Sequence, residues 1–377
     1  MMFTVVGAPG DRRTGLFAAA CRAAGLAAPR VVPWAQVLRG GELPVVPGAP
    51  LRIDSPGDDP EVDALLRGPG DPARVGGGAR WYAAFTAALG RVAAAAERAG
   101  ARPLGDVDDI AVMCDKRRCH ALLAAAGVPV PEALPPVHGY AELRARMVQA
   151  GLHQVFVKPA HGSSASGVVA LRATPAGRVR AVTSAALTRS GTGSGAGSGS
   201  GGGTRDGSGP GLVNSLRVRV HESESEVARL IDLLAPDGLH VERWLPKAAL
   251  GGRVLDLRVV VIAGEPTHVV VRTSHTPMTN LHLGGLRGSV AAVRDALGTA
   301  GWERALGVCA QAAACFPGSL MVGVDLLVGI GWRRVAVGEV NAFGDLLPGI
   351  TGLPGTRAEG LDTYAAQIDA VLAACAT

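Results

Sequence analysis

Lysine and arginine together number 37 in this 377-residue chain, and only three of them are lysines: Lys116, Lys158 and Lys247. A lysine is a compact point charge on a flexible stem, whereas an arginine is a planar fork, so a lysine kept against such a bias marks a place that a fork does not suit. Lys158 ends the strand-like run Val155-Phe-Val-Lys158 and is followed by Pro-Ala-His-Gly-Ser-Ser-Ala-Ser-Gly167. Backbone N–H groups up to Gly167 and the hydroxyls of Ser163 and Ser164 can cradle phosphate oxygens there, with the lysine neutralising them. The alternative is a plain turn carrying a surface lysine.

A second constellation lies near the C-terminus. Asp325 interrupts the apolar run Val322-Gly-Val-Asp-Leu-Leu-Val328, and Glu339 and Asn341 sit two apart in Val337-Gly-Glu-Val-Asn341. Residues two apart on a strand share a face, and a carboxylate buried among valines needs a partner or a metal. Three oxygen donors on one face suit Mg²⁺. Equally, the acids could face solvent or pair with Arg333 or Arg334. A third group is Glu242-Arg243-Trp244-Leu245, Asp256-Leu-Arg258 and Arg272. A free strand edge beside apolar residues can take an adenine, and nearby carboxylates its ribose. Arg258 and Arg272, on facing strands, can clamp a phosphate or carboxylate, unless they are exposed cross-strand charges.

The elements that must position these groups follow from periodicity. A strand at 3–7, a helix through Leu16, Phe17, Ala20, Cys21 and Ala24, and a strand at 30–32 give a β-α-β start. The segment 44–78, rich in Pro, Gly and Asp, reads as loops around one short strand, and an Ala-rich helix follows from Trp81 to Ala99. Asp115 begins a helix that ends at Gly127, before Val128-Pro-Val-Pro131. Another helix covers 141–150. Residues 190–211 are low-complexity Gly/Ser linker, a mobile surface loop by composition. Beyond it come a helix at 224–234, a strand at 239–245, and a hairpin of 255–263 with 267–274 around Gly264-Glu-Pro. Helices at 289–297 and 303–315, a hairpin of 320–328 with 333–341, and a closing helix at 358–375 complete the chain. Antiparallel strand pairs with helices between them argue for α+β after the α/β start.

Composition excludes several classes. With 48% hydrophobic and 18% charged residues, the chain is globular, not disordered. Its apolar runs are too short to span a bilayer, and the first run, with no basic residues before it and a break at Gly7-Ala-Pro-Gly10, reads as a first buried strand rather than a signal peptide. Six scattered cysteines without a CxxC pair read as reduced packing thiols of a cytoplasmic protein. A formal charge of +5 suits a phosphate-bearing small ligand about as well as a nucleic acid, but 4% aromatics and the lack of a dense basic run argue against nucleic acid. Gly197, Gly199 and Gly202 match GxGxxG, but with no strand before and no helix after they are no dinucleotide fingerprint. No Walker motif occurs.

Taken in order, Asp115-Lys116, Lys158-Pro with its Ser/Gly loop, Glu242-Arg-Trp-Leu, Asp256-Leu-Arg258, Asn280-Leu-His-Leu-Gly-Gly285, Asp325 and Glu339-x-Asn341 resemble the ATP-grasp superfamily. The likeness is to the branch of ribosomal-protein glutamate ligases and glutathione synthetases, and it spans about residues 110–350. It implies a small α/β pre-ATP-grasp domain (1–110) and a two-subdomain ATP-grasp fold: a lid subdomain (111–240) and a C-terminal subdomain (241–377) with the metal site. Lys116 and Lys158 would contact ATP phosphates. Glu242 and the backbone of Arg243 to Leu245 would form the adenine hinge, with Asp256 near the ribose. Asp325, Glu339 and Asn341 would hold two Mg²⁺ ions, Mn²⁺ being an alternative, and Arg258, Arg272 and Asn280 would serve the chemistry. Lys247 reads as structural or exposed on the rim.

The implied activity is ligation of a carboxylate to an amine or thiol through an acyl-phosphate, with a small-molecule or peptide acceptor, no membrane and no nucleic acid; a homodimer is compatible with it. The alternatives are a non-catalytic nucleotide-binding module, or a phosphotransferase that stops at the phosphorylated acceptor. Two positions depart from the branch where the acceptor is expected. Leu283 stands in place of an arginine, with Arg287 nearby, and Ala342-Phe343-Gly344 replaces Ser-Pro-Gly.

Overall fold

The computed structural model describes residues 1–162, 165–174, 177–188 and 211–376. Ser163 and Ser164, expected at the phosphate, lie outside these, as does all of the expected 190–211 linker except Gly211. The described residues form three sheets.

The first is parallel, with order β2-β1-β3-β4. It comprises β1 (Thr4–Gly7), β2 (Arg30–Pro33), β3 (Pro50–Ile53) and β4 (Arg102–Pro103). Helices α1 (Arg12–Ala23), α2 (Trp34–Leu38), α3 (Pro60–Arg67) and α4 (Gly78–Arg98) cover it. Val6, Val32, Leu51 and Ile53 pack on Phe85, Leu89 and Val92 of α4. The loop expectation for 44–78 is half right, because it holds α3 as well as the short strand β3. Asp59 caps α3 by accepting from Glu61 N (2.8 Å), and Pro60 fills the first turn, where its missing N–H costs nothing.

Helices α5 (Val107–Met113), α6 (Lys116–Ala125) and α7 (Tyr140–Gln149) lead into the second sheet. It is antiparallel, with order β8-β7-β6-β5-β9. Its strands are β5 (Gln154–Pro159), β6 (Val169–Ala173), β7 (Val179–Leu187), β8 (Leu212–His221) and β9 (Leu239–Arg243), with α8 (Glu224–Leu234) between the last two. The sequence reading gives none of β6 to β8. On one face Val155, Val157, Val169, Leu171 and Val241 pack under α7 and α8, against Leu143, Met147, Val227 and Leu230. Strand alternation therefore turns Phe156, Lys158, His240 and Glu242 to the opposite face.

The third sheet runs β13-β12-β11-β14-β15, with β10 paired to β11. Its strands are β10 (Ala249–Leu250), β11 (Arg253–Ile262), β12 (Glu265–Ser274), β13 (Leu286–Gly288), β14 (Met321–Val328) and β15 (Val335–Asn341). Both expected hairpins are present. The two expected helices form α9 (Val290–Ala314), interrupted at Gly298, where φ is +67°; a glycine takes this conformation at little cost. Leu255, Leu257, Val259, Val324 and Leu326 bury against Trp302, Ala305, Cys309 and Ala312 of α9. The alternate residues Asp256, Arg258 and Asp325 point away from that core. A bulge between Asp325 and Leu326 of β14 opposes Glu339 and Val337 of β15. By absorbing Gly338 it lets Val337 and Val340, three apart, both enter the core while Glu339 keeps the other face.

The closing helix α10 (Thr363–Ala376) returns to the first sheet, setting Tyr364, Ile368 and Val371 against Phe3, Val5 and Phe17. A buried ion cluster locks this junction. Asp345, with 0% exposure, pairs with Arg52 of β3 and Arg13 of α1. Its backbone oxygen accepts from Thr363 Oγ1 (2.6 Å). Arg52 also binds Asp54 (2.7 Å) and the Gln367 side-chain oxygen. Burial alone would raise the Asp345 carboxyl, but Arg52 and Arg13 outweigh it and hold the pKa below its ordinary value. Removing one member of such a cluster strands the others. Asp345→Ala is expected to lower the unfolding free energy by about 3–5 kcal/mol. Glu222→Ala, which breaks only the exposed pair with Arg180, should change it by less than about 1 kcal/mol. Urea unfolding of both variants checks this.

Candidate active site

The polar faces of the second and third sheets meet across a cleft. Each of the three lysines lies on this cleft, and each is paired with a carboxylate. Lys158, at the end of β5, reaches Glu242 on β9 (2.6 Å) and donates to the Gly338 carbonyl of β15 (3.2 Å). It thus bridges the two sheets. Glu242 is 3% exposed and also accepts from His240 Nε2 (3.1 Å). Burial pushes this carboxyl up, but Lys158 and His240 overcome that and hold it down at about 2.

Lys116 occupies the first turn of α6, whose cap is Asp115, accepting from Arg117 N (2.9 Å). Its Nζ lies 3.0 Å from Glu339 and donates to the Gly162 carbonyl at the start of the Ser/Gly loop. Gly167 closes that loop with φ +68°. A Cβ there would lie 2.7 Å from Val75 and 2.8 Å from Pro159, so no larger residue fits.

The third pair joins a longer network. Asp256, on β11, lies opposite Arg272 of β12 and accepts its Nε at 2.7 Å. The other oxygen of Asp256 accepts from Lys247 Nζ (3.1 Å) and from Thr279 Oγ1. Arg272 extends to Asp325 (3.2 Å), and Arg258 grips both oxygens of Asp325, the second at 3.1 Å. Arg258, Asp325 and Glu339 stand side by side on β11, β14 and β15. Burial would raise the Asp325 carboxyl, but Arg258 and Arg272 hold it below its ordinary value. The partners of Asp325 are therefore Arg258 and Arg272, neither Arg333 nor Arg334. Lys247, expected at the rim or as scaffold, has a side chain only 8% exposed and belongs to this network. Asn341 donates Nδ2 to the Gly323 carbonyl (3.2 Å), leaving its amide oxygen as an acceptor. Asn280 lies outside the network. It accepts from His282 N (2.8 Å) and caps the turn at 281–283.

Beside the ion pairs is an apolar wall formed by Val168, Ala170, Val182, Trp244, Met278 and Leu283, with Phe156 packed on it. Leu283, in place of the expected arginine, is thus a wall residue. Arg287 lies opposite Arg272 and donates to the Pro348 carbonyl (2.9 Å). The edge expected to form the hinge is less free than its sequence suggests. Arg243 N donates to Glu132 O (2.7 Å) and Trp244 N to Gln154 O (3.1 Å), so among the described residues Leu245 N is the hinge amide still open. Sequence reasoning missed Lys247, Thr279 and His240. For Lys247 the signal was present, since it is one of three lysines.

Among the described residues no cluster of three His, Cys, Asp or Glu side chains forms a ready metal cage, all six cysteines are free thiols, and no helix is long and apolar enough to cross a membrane.

No family model matches the chain, and no curated protein does. Solved structures do. The ATP-grasp ligase PsnB complexed with a minimal precursor is 16% identical with a TM-score of 0.51, over 98% of each chain. D-cycloserine synthetase DcsG is 16% identical with a TM-score of 0.54, over 99% of each. A carboxyaminoimidazole ribonucleotide synthase from Aspergillus clavatus, complexed with ATP, is 13% identical with a TM-score of 0.51, over 99% of this chain and 76% of that one. A parallel first sheet followed by two antiparallel sheets around a charged cleft, matched over full length, means that this chain has the ATP-grasp fold.

Proposed function

We propose that the chain is a Mg·ATP-dependent ligase that activates a carboxylate as an acyl-phosphate and joins it to an amine or thiol. What supports the reading most is the placement of all three lysines, each on a carboxylate, along the cleft of an ATP-grasp fold. Adenine would lie on the wall of Phe156, Trp244, Met278 and Leu283, with the open amide of Leu245 as hinge donor. Lys158 and Lys116 would meet the phosphates.

Asp325, Glu339 and Asn341 fit Mg²⁺ by chemistry and by place: two carboxylates and an amide oxygen on neighbouring strand positions of one face. Held by these three residues, one or two such ions would supply positive charge to neutralise the phosphates. Lys116, now paired with Glu339, would turn to the phosphates as a metal cation takes its place, so that carboxylate is not left bare. Arg258 and Arg272 would hold the acceptor carboxylate in line with the γ-phosphorus. A carboxylate oxygen attacks that phosphorus and the bond to ADP breaks. The nucleophile then attacks the acyl carbon, loses its proton and expels phosphate. Positioning and charge neutralisation carry most of this work. The acceptor is a small molecule or a peptide; the PsnB neighbour is complexed with a precursor. Incubation with Mg·ATP and mixed carboxylates and amines, read by mass spectrometry, should yield ADP and a condensed product. A phosphorylated acceptor alone, or unchanged ATP, would overturn the reading.

Lys158→Met should abolish measurable ADP binding in calorimetry. It also strips Glu242 of its cation. The folded pKa of Glu242, about 2, lies below its ordinary 4.5, so its contribution to stability is complete above about pH 4.5 and is lost as the pH falls towards 2. Losing Lys158 raises the folded pKa, so the variant should be destabilised and begin to lose this contribution at higher pH. Lys158→Met with Glu242→Gln should restore the urea midpoint without restoring ADP binding. ADP affinity unchanged in Lys158→Met would contradict the assignment.

Glu339→Gln should leave ADP binding measurable and lower turnover by orders of magnitude, with a higher Mg²⁺ requirement, since an amide cannot balance the cation. Equal Mg²⁺ titration curves for both proteins would remove Glu339 from the metal site.

A further inference from the structure

The ligase reading uses two of the three lysines, and the third is buried at the same site. We infer that Lys247 is a positioning residue for phosphoryl transfer: it holds Asp256, and Asp256 in turn aims Arg272. The inference rests on the ligase reading and adds a residue to it.

The backbone around Lys247 is fixed. Pro246 O accepts from Ile330 N (2.9 Å) and Ala248 N donates to Val328 O (2.7 Å), which ties this segment to the end of β14. From there the side chain spends two of its three N–H donors, one on Asp256 (3.1 Å) and one on Thr279 (2.8 Å). Asp256 in turn uses three of its four acceptor positions on Lys247, Thr279 and Arg272. Arg272 is held at two points, Nε by Asp256 and Nη2 by Asp325. Its Nη1 group has no partner among the described residues and is free for a substrate oxygen.

Lys247 therefore never needs to touch the substrate to matter. Asp256 is shared between two cations. Without Lys247 its whole charge falls on Arg272, which is drawn towards Asp256 and away from Asp325 and the cleft. A planar guanidinium would not fit where a compact ammonium meets a carboxylate and a hydroxyl in so closed a space. That accounts for a lysine at this position in a chain that otherwise uses arginine almost throughout. A group that only orients a transition-state contact alters kcat more than nucleotide affinity.

The test compares Lys247→Met and the double variant Lys247→Met/Asp256→Asn with the unsubstituted chain. Turnover is phosphate released from Mg·ATP with the carboxylate and amine mixture, affinity is ADP calorimetry, and stability is the urea midpoint. Lys247→Met should lose turnover by about tenfold or more while ADP affinity moves by less than about threefold. The double variant, a neutral pair in place of a buried ion pair, should regain stability and stay slow, because an amide does not hold Arg272 as a carboxylate does. If Lys247→Met proves too unstable to assay, the double variant carries the test alone. Three results would overturn the inference. The first is turnover within about twofold of the unsubstituted chain in the variant assayed. The second is recovery of turnover together with stability in the double variant, which would make Lys247 merely structural. The third is a loss of ADP affinity in step with turnover, which would make it a nucleotide contact. If the unsubstituted chain releases no phosphate, the ligase reading itself fails, and this inference fails with it.

Discussion

A carboxylate can be buried only if a cation or a set of hydrogen bonds is buried with it. The structure depends on that constraint at its two most closed places. At the cleft, Glu242, Asp256 and Asp325 would each cost too much alone, and each is matched by Lys158, by Lys247 with Arg272, or by Arg258 with Arg272. At the junction of the first sheet with α10, Asp54 and Asp345 are matched by Arg52 and Arg13. The difference between the two lies in access. At the junction the charges of Arg52, Asp54 and Asp345 are enclosed by protein. Those at the cleft leave a guanidinium group, an amide oxygen and a hinge amide open, which suits a ligand that brings phosphates and a cation of its own.

This view also accounts for the departures from the family pattern. Leu283 gives up a charge but completes the apolar wall with Trp244 and Met278. Ala342 and Phe343 pack on the first sheet with Trp34 and Phe85, and Asp345 enters the junction cluster. Gly344 passes so close to Gly323 that a Cβ on either would lie 2.6 Å from the other's Cα. The stretch after Asn341 is therefore a connector to the first sheet.

The fold was legible where alternation is clean. Leu255-Asp-Leu-Arg-Val259 places its apolar residues on one face and its charges on the other, and the hairpin carrying Asp325 and Glu339 follows the same rule. It was less legible where composition masks pattern. Asp59-Pro60 signals a helix start, yet the surrounding Pro and Gly hid α3. Arg217-Val-Arg-Val-His221 alternates like a strand, but beside the Gly/Ser segment it went unread. Within the site, residue types were readable and partners were not. Which arginine meets Asp325 is fixed by the register of β11 against β14 and β12, and the bulge at Gly338 decides which face Glu339 takes. Neither can be counted from sequence. Lys247, between Pro246 and two alanines ahead of Gly251-Gly252, looks like a loop residue until the backbone ties at Ile330 and Val328 turn it inward.

The central claim is that the cleft passes the γ-phosphoryl group to a carboxylate and then releases it as phosphate. The most direct measurement uses carboxylates labelled with heavy oxygen at both carboxyl positions, with Mg·ATP and the amine mixture, and mass analysis of the phosphate released. The account predicts one heavy oxygen in each phosphate formed with product, carried over when the acyl–oxygen bond breaks. Phosphate released without the label would contradict it.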